Sequence, residues 1–265
     1  MLMFIWKKEA IVLNGFENLY SMLYQGILTK FTFWNIHIYL KNALVYMMKC
    51  HAIMNIKIAG IEKNENARPL REYTDFIDKM KKERFPIKLK FGLEVCYSPE
   101  HIKDIENIKN MYSFDFLVGS IHFIDGWAFS HKKQPWRKEN YNLNYLYKRY
   151  YELMYELVES NLFSGLAHPN SLQCFGAYPI GDYDAEYNRI ARALKENNMY
   201  IEESSGLAIN YGDTELGMSG KMLKAMILQN VQILTASDAH IPQDVGKLIC
   251  EMNDLISKAE KEYGR

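Results

Sequence analysis

Four short apolar runs in this sequence each end on a histidine or a carboxylate, and that repetition constrains the fold more than any other feature. Residues 88–95 carry Glu94 near their end, and residues 114–118 lead into Gly119-Ser120-Ile121-His122. Gly165-Leu166-Ala167 runs into His168, and residues 231–236 are followed by Ser237-Asp238-Ala239-His240. A single histidine at a strand end is more often satisfied by the core than by a ligand. Four strand ends carrying metal-ligand residue types make a site. Helical patterns separate the runs: residues 69–84, with Pro69 suited to the first turn, and 98–111, with Ser98 as cap, Pro99 first and His101 third. Residues 140–161 place Leu143, Leu146, Tyr147, Tyr150, Leu153, Met154 and Leu157 on one face, which is core packing. Further helices are expected at 184–197, 221–229 and 243–263, and a loop carrying Trp136 and Arg137 at 130–139. Upstream, 44–53 reads as a helix and 56–61 as a strand. Strands alternating with helices of this length argue for parallel βα units, and polar residues at strand ends fit a barrel whose loops at one end build the site.

Composition narrows the classes. A chain of 265 residues that is 48% hydrophobic can bury a full core, and no stretch rich in Pro, Gly or Ser divides it, so one domain is expected. Lys+Arg and Asp+Glu balance at 32 each, which favours neither a nucleic-acid surface nor an acidic tail. Cys50, Cys96, Cys174 and Cys250 are scattered with no CxxC pair, as expected of reduced thiols in a cytoplasmic protein. The apolar start, residues 1–6, is too short for a signal-peptide core, and Lys7-Lys8 follow it where charge should precede. Lys30 and Lys41 are the only charges between Asn18 and Met48, but polar residues keep both uncharged runs short of about 18 apolar residues, so no membrane span is expected. An interfacial hairpin is the alternative for this segment.

Histidine and carboxylate ligands without cysteine suit Zn²⁺, Mn²⁺ or Fe²⁺. Several of them arriving from different strands suggest two or three metals, with Glu94 bridging a pair. Metals about 3.5–4 Å apart activate water and clamp the oxygens of a phosphate ester. In an extended segment Asp238 and His240 point to the same side. A helix cap for Asp238 and a loop hydrogen bond for His240 carry equal weight for that pair alone.

Gly-Ser-Ile-His-Phe-Ile-Asp-Gly-Trp at 119–127, Ala167-His168-Pro169 with Phe175-Gly176, Ser205-Gly206-Leu207, and Ser237-Asp238-Ala239-His240-Ile241-Pro242 with Val245-Gly246 are the segments that carry a family likeness. Together they resemble the motifs of the PHP (polymerase and histidinol phosphatase) metal-dependent phosphoesterases, most closely the histidinol-phosphate phosphatase branch, over residues 85–265. The resemblance implies a distorted (β/α)7 TIM-like barrel of the PHP type over residues 35–265, preceded by a divergent segment, 1–34, of unknown role. It implies up to three divalent metals and hydrolysis of L-histidinol phosphate to L-histidinol and phosphate, a late step of histidine biosynthesis. Carried over, the metal ligands are His37, Glu94, His122, His168, Asp238 and His240, and the catalytic groups are Glu94, Asp238 and His240. Glu94, His122 and His168 complete one metal site, His37, Glu94 and Asp238 contribute to another, and His240 to a third. All five residues from Glu94 onward are expected to meet at one barrel end. The chain departs from the pattern at Tyr39 and Asn64, where the family carries histidines, and at Asn170 and Ala208, where relatives often carry Asp and Arg. Fewer than three metals are therefore expected. A degenerate member of the family, or a phosphoesterase for another small phosphate ester, is the alternative.

Overall fold

The computed structural model describes residues 34–39, 45–52, 70–84, 88–130, 137–212 and 215–264. The chain runs β1 (Trp34–Tyr39), β2 (Val45–Ala52), α1 (Leu70–Met80), β3 (Lys88–Cys96), a 3-10 turn (Pro99–His101), α2 (Ile102–Met111), β4 (Phe116–Ser120) and the small strands β5 (Phe123–Ile124) and β6 (Trp127–Ala128). It continues through α3 (Leu143–Glu159), β7 (Gly165–Leu166), a 3-10 segment (Ser171–Gly176), α4 (Asp184–Glu196), β8 (Tyr200–Ser204), α5 (Gly206–Tyr211), α6 (Gly220–Leu228), β9 (Gln232–Ala236) and α7 (Ile249–Tyr263). Strands β1-β2-β3-β4-β7-β8-β9 close into a barrel, and β5 and β6 form a separate hairpin.

Around the barrel from β2 to β9 every neighbouring pair of its strands is parallel, as the alternating pattern predicts. β1 differs: it runs antiparallel to both β2 and β9. Only residues 40–44 separate β1 from β2, too few for the crossover of a dozen or more residues that a parallel pair needs. The helix expected over 44–53 is instead strand β2. An apolar run of that length cannot be assigned by periodicity alone, and here β1 and β3 offer ladder partners on both sides. The closing helix starts at Ile249, later than the expected 243, because Gly246 (φ 77°) and Leu248 (φ 63°) take left-handed conformations. Ser98 is extended, makes no side-chain cap and opens the 3-10 turn ahead of α2. The expected strand at 56–61, Pro69, Trp136 and the segment 1–33 lie outside the described residues. Asn142 caps α3 by accepting from Tyr145 N at 3.1 Å, and the apolar stripe read from the sequence is buried in full.

Alternation along the strands divides the interior in two. Phe91, Leu93, Val95, Leu117 and Ile201 face outward and join the helices in the main core. Phe116, Val118, Ala167, Tyr200 and Leu234 form a second cluster inside the barrel. Two aromatic rings plug that interior by lying over glycines. A Cβ on Gly92 would stand 2.3 Å from the Phe116 ring, and one on Gly165 2.4 Å from the Tyr200 ring. Glu94 lies two residues beyond Gly92 on the same face, so its carboxylate emerges past the Phe116 plug.

β8 carries two adjacent carboxylates, Glu202 and Glu203, both fully buried. Glu203 Oε2 accepts from Met218 N at 2.9 Å, while Oε1 has no hydrogen-bond partner. Burial pushes this carboxyl up from its ordinary 4.5 to about 8, against the opposing Met218 N–H. The folded chain therefore keeps a proton that the unfolded chain has lost above its ordinary value. Stability from this group is full below that value and falls as pH rises toward about 8, by roughly 1.4 kcal/mol per pH unit at most. Glu203→Gln should flatten that fall, read as urea midpoints between pH 5 and 9. Gly92→Ala should force the Phe116 ring aside and destabilise the barrel by about 1–3 kcal/mol in the same measurement.

Candidate metal centre

Glu94 lies in β3, His122 follows the end of β4 by two residues, and His168 follows the end of β7 by two. The register pairs Glu94 with Val118 and Gly119 with Leu166, which brings the three strand ends side by side. One ligand atom from each of the three residues lies within 4.8 Å of the other two. Glu94 Oε1 is 2.9 Å from His168 Nε2 and 3.3 Å from His122 Nε2, and the two rings sit 5.1 Å apart between centroids. Glu94 and His168 are buried, and His122 is half-buried.

The far side of each ring is held. Ser171 Oγ is 2.6 Å from His168 Nδ1 and also bonds the His168 carbonyl at 2.8 Å. A hydroxyl has one proton; given to the carbonyl, it leaves the oxygen to accept from Nδ1–H. His168 Nε2 then presents a lone pair to the Glu94 carboxylate. Two acceptors at that distance need a cation or a proton between them, so the donor set fits a divalent metal ion. Ser130 Oγ lies 3.1 Å from His122 Nδ1 and holds that ring from its far side. Glu202 Oε2 accepts from the His168 backbone N–H at 3.3 Å. Burial, reinforced by the charge of Glu94, pushes the nearby Cys96 thiol up to about 12 against a hydrogen bond from the His122 backbone.

Asp238 and His240 follow the end of β9, with His240 Nε2 4.0 Å from Asp238 Oδ1. Among the described residues the group of three does not include them. Asp238 packs against α5, where a Cβ on Gly206 would meet its Oδ2 at 2.2 Å. His168 (φ 24°) and Asp238 (φ 47°) both hold left-handed backbone conformations, a strain that surrounding contacts must maintain. His37 pairs with Ala236 of β9, Tyr39 pairs with Val45, and Asn64 lies outside the described residues. Asn170 donates to Gly217 O at 2.8 Å. Ala208 lies within α5.

Sequence reasoning missed Ser130, Ser171 and Glu202. Ser171 had a signal in its spacing, three residues past His168 in one helical turn. Asp125-Gly126 was a further signal: φ values of 49° and 78° form the two-residue turn between β5 and β6, and Phe129 N donates back to His122 O at 3.3 Å. That fold-back returns Ser130 to His122. Asp125 also accepts from Tyr145 at 2.5 Å and Arg149 at 3.3 Å, which pins the hairpin to α3.

Among the described residues no helix is long and apolar enough to cross a membrane. The Deinococcus radiodurans protein named probable histidinol-phosphatase is 26% identical over 167 residues, 60% of this chain and 60% of that protein. The Schizosaccharomyces pombe protein of the same name is 21% identical over 171 residues, 60% of this chain and 56% of that protein. The chain thus spans less than two thirds of the length of these curated relatives. A Listeria monocytogenes structure assigned as a histidinol phosphatase superposes with a TM-score of 0.65 at 16% identity, over 78% of this chain and 88% of that one. The histidinol phosphate phosphatase of Lactococcus lactis, solved with zinc, L-histidinol and phosphate, superposes with a TM-score of 0.57 at 16% identity, over 81% of both chains. At that identity the likeness is one of fold. The PHP domain profile matches residues 38–205, which take in β2 to β8 and all three converging ligands, and the chain belongs to the PHP domain family.

Proposed function

We propose that this chain is a metal-dependent phosphomonoesterase that hydrolyses L-histidinol phosphate to L-histidinol and phosphate. The observation that carries the reading is the meeting of Glu94 Oε1 with His122 Nε2 and His168 Nε2 at the end of a PHP-domain barrel. The substrate is supported by the names of the two curated relatives and by the L-histidinol and phosphate bound in the Lactococcus lactis structure.

Glu94, His122 and His168 would hold the cation. A divalent cation bound there would lower the pKa of water and draw charge from a phosphoryl oxygen. Ser171 and Ser130 fix the two rings from behind, so that Nε2 of each stays aimed at the Glu94 carboxylate. Asp238 takes the proton of the attacking water. The water oxygen becomes bonded to phosphorus, the ester P–O bond breaks, and His240 protonates the departing histidinol oxygen. Support for these two roles is the pairing of Asp238 with His240 at 4.0 Å just beyond β9. Fewer metals than three belong to this reading, because Tyr39 and Asn64 stand where the family carries imidazoles.

The test is phosphate release from L-histidinol phosphate with added Mn²⁺, Zn²⁺ or Fe²⁺, beside a panel of sugar and nucleoside phosphates. Turnover on L-histidinol phosphate above the panel is expected. A folded chain that releases phosphate from none of these esters with any metal ends the reading, and faster cleavage of another ester replaces the substrate. His168→Ala should lose bound metal and activity together. Ser171→Ala keeps every ligand and should weaken metal binding by roughly 10–100-fold, measured by chelator competition.

A further inference from the structure

The helix α5 has six residues, yet its last two side chains reach both halves of the site. Tyr211 donates its phenolic proton to the Ser130 carbonyl at 2.5 Å, and the Ser130 hydroxyl in turn lies 3.1 Å from His122 Nδ1. Asn210 Nδ2 donates to the Asp238 carbonyl at 3.0 Å. The start of the helix is tied to the end of β9: Ser205 N donates to Ala236 O at 2.9 Å, and Gly206 lies against the Asp238 carboxylate. Its end is stopped by Gly212 in the left-handed conformation (φ 71°). The Phe175 ring meets Tyr211 edge-on, 5.4 Å between centroids. Burial pushes the Tyr211 phenol up, helped by the nearby Cys174 and Asp238, so it remains a proton donor at any working pH.

We propose that Tyr211 and Asn210 are positioning residues, Tyr211 acting through Ser130 to orient the His122 ring for metal binding and Asn210 acting on Asp238. A single short helix would then set the spacing between the Glu94–His122–His168 group and the Asp238–His240 pair. The turn that carries Ser130 is the piece that needs an anchor. Ser130 reaches His122 only while its main chain stays folded back against the hairpin, and the Tyr211 hydroxyl fastens that main chain to an element rooted in the barrel. Only the role given to Asp238 rests on the phosphomonoesterase reading; the link from Tyr211 to His122 stands on geometry alone.

Tyr211→Phe removes the hydroxyl and keeps the ring against Phe175. Zinc affinity is measured on the metal-free full chain by chelator competition, at a temperature where melting curves show every variant folded. Tyr211→Phe and Ser130→Ala are each expected to weaken zinc binding about 10-fold, and the double variant no further, because both cut one chain of contacts. Asn210→Ala should leave zinc affinity at the wild-type value and lower kcat with KM held. Wild-type zinc affinity in Tyr211→Phe, or losses that add in the double variant, would overturn the link to His122. An unchanged kcat in Asn210→Ala overturns the part assigned to Asn210. A wild-type chain that binds zinc and releases phosphate from no ester ends the phosphatase reading and leaves the Tyr211 link standing.

Discussion

Glu94 is fully buried at the mouth of a closed barrel, and a buried carboxylate is tolerated only when opposite charge or hydrogen-bond donors surround it. Among the described residues it meets His168 at 2.9 Å and His122 at 3.3 Å, each just past the end of another strand. That meeting requires β3, β4 and β7 to keep a register in which a one-residue slip would turn Glu94 to the outer face. The plug below depends on the same register. Phe116 lies over Gly92, and Tyr200 over Gly165, only because those residues share a level on neighbouring strands. The packed interior and the polar mouth are thus two consequences of one set of strand alignments.

Around the three ligands lies a layer of contacts that holds them from behind. Ser171 takes the far nitrogen of His168, Ser130 that of His122, and Glu202 the backbone N–H of His168. These partners fix ring orientation and keep Nε2 of each histidine directed at Glu94, the geometry that a metal ion requires of its ligands. The hairpin around Asp125-Gly126 and the short helix α5 serve the same end over a longer reach, since both act on the turn at Ser130. Left-handed backbone at His168 and Asp238 shows where the chain bends to deliver these side chains. The aromatic stripe of α3, with Tyr147 and Tyr150 fully buried, backs the barrel wall on which they stand.

Much of this was legible in the sequence from residue 88 onward. Strands and helices alternate with clear periods there, so β3, β4, β9, α3 and α4 fall close to their expected places. Glu94, His122 and His168 could be singled out because each closes an apolar run, and strand ends on one side of a parallel barrel are neighbours by geometry. Local pattern reports which face a side chain occupies. It does not report which partner arrives from a distant part of the chain. Only the tertiary structure decided that 45–52 is a strand with ladders on both sides, that β1 runs against its neighbours, and that Ser130, Ser171 and Glu202 complete the histidines. It also paired His240 Nε2 with Asp238 Oδ1 at 4.0 Å just beyond β9. The reason is physical: a hydrogen bond or a ligand contact is decided within a few tenths of an ångström, and that precision arises from registers and packing between elements far apart in the chain.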